Sequence, residues 1–514
     1  MADLPPEYLD PKTPPDVIVT DTAAPPITDP TLGVAVGPGV PGVNVPVVPD
    51  HPAHRLVTIG DSLTHGVSSG AVFHTDLSWP ALVASGLQIA QFRVPTYGGP
   101  LDGLPVNIES VARQLQHKFG VDFSLFEKLQ LPLVLHNILD ANEDYWERGD
   151  GHKPPRTDIR YENLGIYGWD VRDSLSFTAA LAASRLSGKP DDNLFAAKPD
   201  HDNDIAASSV LAPFGNAATQ IDAAAQLGRD GGIDTLVVGL GANNALDSVV
   251  SKSVVWSDLG YADLATKGRF NVWRPTHFAV EYGTLVRALQ SINARRVVLM
   301  TVPHVTIAPV AKGVNPDHPK QKWREGSRYF PYYTDPWIEE RDFRPSKHRH
   351  ITHQEARAID SAIDQYNATI AGAVRQARTQ GREWYVVDLC GMLDGIAFRR
   401  YAQDPAAAAR NGWVPFDLPA PIADLDTRFF LSDKNRRLQG GIFGLDGIHP
   451  STSAYGVIAQ SVLDVLHKHA LLAITPIDFA GLLRKDTLNS DPPALVAPLL
   501  STLAPLATRF VSGH

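Results

Sequence analysis

A chain of 514 residues, 44% hydrophobic and 20% charged, can bury a large core and is too long for one small domain. Its net charge of −10 repels phosphate backbones and so argues against nucleic acid as a partner. The single cysteine, Cys390, excludes an intramolecular disulfide and a cysteine-built zinc site.

Residues 1–50 hold 12 of the 41 prolines and one basic residue, Lys12, which predicts an extended or disordered arm. Gly37-Pro-Gly39-Val-Pro-Gly42 has the spacing of a dinucleotide fingerprint, but the proline-rich residues behind it cannot open the required helix. Met1 to Asp10 have neither the basic nor the apolar region of a signal peptide, so a cytoplasmic location is expected, with a secreted mature form left open.

The folded part is expected over 54–470. Arg55–Ile59 reads as a buried strand, Ser78–Ser85 as a helix with Pro80 in its first turn, and Val106–Lys118 as an amphipathic helix. Ile159–Leu164 is a second strand and Asn216–Leu227 a helix. Ile233–Leu240 is the clearest strand, followed by a helix over Phe278–Ile292 and a strand over Arg296–Val302. Thr352-His-Gln-Glu355 is a capping box opening a long helix to about Thr379. Trp384–Leu389 is a further strand and Ser451–His467 a closing helix. This alternation predicts an α/β fold with a mostly parallel sheet and helices on both faces, whose ligands bind beyond the carboxyl ends of the strands. Insertions are expected near 75–155 and 305–350, and a helical extension packed on the domain over 471–514. The longest apolar run, Ala494–Thr508, is broken by Pro498 and Pro505, so two short docked helices are expected there and no integral membrane segment.

Four short motifs fall at predicted strand ends. Gly60-Asp61-Ser62-Leu63 puts a serine where the chain turns into a helix, and the backbone N–H groups of a helix start favour an incoming anion. Taken alone, this serine is as readily a helix cap. Asn163-Leu-Gly165-Ile-Tyr-Gly168 ends the second strand, and Gly168 can offer its N–H without a side chain in the way. Gly241-Ala-Asn243-Asn244 places two amides that could donate to an oxyanion or cap a turn. In Asp446-Gly-Ile-His449-Pro450, the aspartate can reach the ring three residues on and orient it.

Ser, Gly, Asn, then Asp-x-x-His is the order of the blocks of the SGNH (GDSL) hydrolases. The chain resembles that family from about residue 54 to 470. Gly60–Leu63, Asn163–Gly168, Gly241–Asn243 and Asp446–Pro450 carry the likeness, together with Ala454–Ala459 after the last block. The resemblance implies a flavodoxin-like three-layer α/β/α sandwich with large insertions. It implies a serine esterase working through an acyl-enzyme, with Ser62 as nucleophile, His449 as base and Asp446 orienting the ring. The oxyanion would be held by Ser62, Gly168 and Asn243, with no metal or cofactor. Asn244 departs from the aspartate usual in the family at that place, so either asparagine could be the donor. In some members a backbone carbonyl replaces the aspartate.

The expected substrate is an acyl or acetyl ester of a lipid, a sugar or a small alcohol. Transfer of the acyl group to an alcohol would use the same residues, and a binding module on a decayed scaffold is the non-enzymatic alternative. Gly66-Val-Ser68-Ser-Gly70 matches the nucleophile elbow of another hydrolase fold, but polar residues separate it from its strand. His348, His350 and His353 form a metal ligand set or a solvated approach to the long helix. His65 and His74 line the pocket or decorate a loop. The aromatics Trp323, Tyr329, Phe330, Tyr332, Tyr333 and Trp337 stack on substrate or pack their own loop.

Overall fold

The structure is a computed structural model that describes residues 8–21, 24–43, 45–120, 125–188, 190, 198–397, 413–433 and 436–494. Most of the apolar run 494–508 lies outside the described residues.

Four strands form the central sheet: β1 (His54–Gly60), β2 (Ile233–Gly239), β3 (Ala294–Met300) and β4 (Glu383–Val387). They pair in that order and are all parallel, with Thr58 opposite Val237, Val237 opposite Val298 and Val298 opposite Tyr385. Both faces are buried, which is why these strands read as continuous apolar runs. Side chains alternate between two cores. Val57, Ile59, Leu236, Val238, Val297, Leu299, Trp384 and Val386 enter one; Leu56, Val237, Val298, Met300, Tyr385 and Val387 enter the other.

Helices cover both faces, giving an α/β fold with three layers. On the first lie α2 (Gln220–Arg229), α3 (Pro275–Gln290) and α4 (His353–Thr379), through Ile221, Phe278 and Ile363 among others. On the second lie α1 (Trp79–Gly86) and α6 (Thr452–Ala470), through Trp79, Val83, Val462 and Leu463. A further helix, α5 (Leu389–Ile396), follows β4 directly. The capping box is formed: Glu355 N–H donates to Thr352 Oγ1 at 3.3 Å, and Glu355 Oε2 accepts from Thr352 N–H at 2.8 Å. Helix α3 starts at Pro275, three residues before the expected Phe278, because a proline in the first turn gives up no helical bond.

Ile159–Leu164 does not form a full strand. One parallel bridge joins Asn163 to Thr58. Thr58 N–H donates to Glu162 O at 2.9 Å, and the N–H groups of Leu164 and Ile166 donate to Thr58 O at 2.8 Å and Gly60 O at 3.0 Å. The Asn163 side chain bonds the turn that follows it and the short helix after β1, accepting from Gly165 N–H at 2.9 Å and donating to Thr64 O at 2.8 Å.

Beyond α1, the described part of the segment 75–155 holds the helices Ile108–Phe119 and Leu125–Glu147, the second with Pro132 inside it. The segment 305–350 contributes two strands of a small antiparallel sheet, Lys312–Val314 and Tyr332–Thr334, completed by Ile351–Thr352. The described part of the arm runs along α4 and the outer edge of β4. Ile18 N–H donates to Gln365 Oε1 at 2.8 Å, Asp21 pairs with Arg357 at 2.9 Å, and Pro30 O accepts Val386 N–H at 3.0 Å. The last bond occupies part of the open edge of the sheet. Among the described residues, no helix is long and apolar enough to cross a membrane.

Candidate active site

Strand β1 delivers Ser62 to the carboxyl end of the sheet. The chain turns at Asp61, whose carboxylate accepts Leu63 N–H at 3.1 Å and caps the short helix Ser62–His65. The turn leaves no room for a side chain at Gly60: a Cβ there would lie 2.6 Å from Gly239 O. Ser62 N–H is a first-turn donor that the helix itself cannot satisfy. Burial pushes the Asp61 carboxyl up to about 7, against its bond to Leu63 and the attraction of His449.

His449 and Asp446 sit on the loop before α6. Gly444 N–H donates to His449 O at 2.8 Å, and Phe443 and Pro450 form an antiparallel bridge, which closes the loop on itself. Asp446 Oδ2 lies 2.7 Å from His449 Nδ1 and accepts Gly70 N–H at 2.7 Å. Its Oδ1 accepts the N–H groups of Ile448 at 2.8 Å and His449 at 2.9 Å. Burial pushes the Asp446 carboxyl up, but the His449 ring and these N–H groups outweigh it, so the carboxyl lies below its usual value. The bond to Asp446 fixes Nδ1 as the protonated nitrogen of a neutral His449. Among the described residues, Nε2 has no hydrogen-bond partner, and Ser62 makes no hydrogen bond to the ring. Both side chains line one cavity that opens to solvent.

Gly168 and Asn243 are brought to each other but not into that lining. Asn243 Nδ2 donates to Trp169 O at 2.8 Å, tying the turn after β2 to the loop that carries Gly168. Gly168 is exposed, with φ +74°, a conformation that favours glycine. Gly165 packs directly on the nucleophile's helix, where a Cβ would lie 2.7 Å from His65 Cα. The two asparagines separate clearly: Asn244 is fully buried and its Oδ1 accepts Val171 N–H at 3.4 Å, whereas Asn243 is half-buried.

Ser68 belongs to a two-residue strand and does not line the cavity. Its neighbours hold the loop of Asp446 and His449 instead, Gly70 through Asp446 and Ser69 through its Oγ, which accepts Leu445 N–H at 3.1 Å. His65 is buried beneath the site. Its Nδ1 accepts Tyr167 N–H at 3.2 Å, and burial holds it down to about 3, so it is neutral. His74 stacks on Phe73. Of the insertion aromatics, Tyr329, Phe330 and Tyr333 are buried, Trp323 stacks on His353, and none of the six lines the cavity.

His304 falls in no local motif of the sequence. It too lines the cavity, with Nδ1 2.7 Å from Asp394 and Nε2 3.0 Å from Asp364. Burial opposes its charge, but Asp394, Cys390 and Asp364 outweigh it, so the ring is held protonated well above the usual histidine value. Metal-binding chemistry gathers here and not at His348, His350 and His353. The ligand atoms of His304, Cys390 and Asp394 lie within 4.8 Å of one another. The same atoms bond one another, His304 Nδ1 lying 2.7 Å from Asp394 Oδ2 and 3.5 Å from Cys390 Sγ, and they form a buried ion cluster in which burial pushes the Cys390 thiol up to about 11.

No family model, curated protein or solved structure matches the chain.

Proposed function

We propose that this protein is a serine hydrolase of carboxylic esters, built on the SGNH plan. One observation carries the reading: Asp446 grips Nδ1 of His449 at 2.7 Å while the ring shares a cavity with Ser62, at the carboxyl end of a parallel sheet. The fold order supports it. With the edge segment at Asn163 counted as a fifth strand, the order by chain position becomes 2-1-3-4-5, that of flavodoxin-like sheets.

In the proposed reaction Ser62 Oγ attacks the ester carbonyl carbon and its proton passes to His449 Nε2. The oxyanion is held by Ser62 N–H, Gly168 N–H and the second amide hydrogen of Asn243 Nδ2. As the C–O bond to the alcohol breaks, His449 returns the proton to the leaving alkoxide. Water then attacks the acyl-enzyme, again giving its proton to His449, and releases the acid and Ser62. Asp446 stabilises the imidazolium at each step without being protonated.

Replacing each serine in turn tests the assignment. Ser62→Ala is expected to abolish turnover of a p-nitrophenyl ester, and Ser68→Ala to retain most of it. A dead Ser68→Ala with an active Ser62→Ala would overturn both nucleophile and fold plan.

A further inference from the structure

We propose that the cavity behind Ser62 is an acyl-chain site, and that esters of medium- and long-chain fatty acids are the preferred substrates over acetyl esters. The proposal rests on the esterase reading above and adds the substrate class.

Among the described residues, three polar side chains line the cavity, Ser62, His449 and His304. Ser62 and His449 are the reacting pair, so a bound acyl carbonyl is anchored at their end. His304 offers nothing to a ligand, because both of its ring nitrogens are spent on Asp394 and Asp364. The other lining side chains are apolar, Leu393, Ile396, Ile442, Phe443, Val457 and Ile458 among them. A sugar in this space would bury hydroxyls without side-chain partners, which is costly, whereas each methylene moved from water into it gains about fourfold in binding.

The wall is also preformed. Helix α5 supplies Leu389, Met392, Leu393 and Ile396 to the cavity and is tied to its surroundings by hydrogen bonds. Asp388 accepts from Thr301 Oγ1 at 2.9 Å, Cys390 N–H donates to the same oxygen at 2.9 Å, and Asp394 holds His304. A chain entering a fixed apolar slot need not offset the cost of ordering it. The buried ion cluster thus acts as the fastening of the acyl wall.

The test uses the full chain and p-nitrophenyl esters from acetyl to decanoyl. The expected kcat/KM rises by about fourfold per methylene over the first several carbons. Ile396→Trp, which fills the cavity, should lower the decanoyl-to-acetyl ratio at least tenfold, and Leu393→Trp serves if that variant does not fold. A second readout is independent of catalysis: Ser62→Ala should bind cis-parinaric acid, decanoate should displace it, and Ile396→Trp should lose it. Hydrolysis with a flat or falling chain-length profile overturns the acyl site and leaves the esterase reading standing. A gain that follows the alcohol chain of alkyl acetates also overturns it. No hydrolysis of any ester, but parinarate binding that Ile396→Trp abolishes, keeps the chain site and overturns the esterase reading. Neither hydrolysis nor binding overturns both.

Discussion

Two histidines line the same cavity, and their surroundings give them opposite chemistry. His449 has one carboxylate, on Nδ1, and its Nε2 is left to the cavity. His304 has a carboxylate on each nitrogen. One partner orients a ring that can still take and give a proton; two partners lock it as a cation. A histidine flanked by aspartate is therefore not in itself a catalytic signature. What distinguishes a base from a structural ion is whether a nitrogen remains uncommitted.

The contrast predicts a descending series of effects. His449→Ala should lower kcat by about a millionfold, as expected when the base of a serine triad is removed. Asp446→Asn should lower it by about ten-thousandfold, because the amide cannot hold the productive tautomer. An unchanged rate would mean that a backbone carbonyl orients the ring. Asn243→Ala should cost about a hundred- to a thousandfold in kcat with a smaller change in KM, and Asn244→Ala less. The reverse ranking would show that the buried amide is the oxyanion donor.

The His304 side of the comparison is read in stability. Asp364→Asn removes one partner of a buried ion pair, and the expected loss is about 3 kcal/mol or more in denaturant unfolding. Since the folded-state value of His304 is raised, its contribution is complete below the unfolded histidine value of about 6.5 and is lost as pH rises through the folded value. The difference between wild type and Asp364→Asn should accordingly shrink at alkaline pH. A difference independent of pH would show that His304 is neutral in the fold.

Asp61 should give a smaller effect of the same sense. A carboxyl raised from 3.8 to about 7 keeps its proton longer in the fold than in the unfolded chain, so stability falls as pH rises across that window. Asp61→Asn preserves an acceptor for Leu63 N–H and removes the ionisation. Its Tm relative to wild type should rise from acid to neutral pH, and a constant offset would mean that Asp61 ionises normally.

Local signals were the readable ones. The strand that runs up to Gly60 before Ser62, the capping box at Thr352 and Glu355, and the Asp446–His449 pair each depend on neighbours within a few residues, and all three are formed. Contacts between distant segments were not readable. Gly70 meets Asp446 across 376 residues, and His304 meets Asp364 and Asp394 across 60 and 90, at positions with no local pattern. The helix Leu125–Glu147 was obscured by Pro132, a residue that normally ends a helix. The second strand shortens to a single bridge at Asn163, whose side chain is committed to Gly165 N–H and to Thr64 O, 99 residues away, another contact between distant segments.

The central claim is that Ser62 is a nucleophile activated by His449, and covalent trapping tests it most directly. The full-length protein would be treated with a fluorophosphonate and the modified peptide identified by mass spectrometry, in wild type and in His449→Ala. The account predicts one adduct per chain, on Ser62, formed at a rate that collapses in His449→Ala. An unlabelled wild-type protein, or an adduct on any other residue, would contradict it.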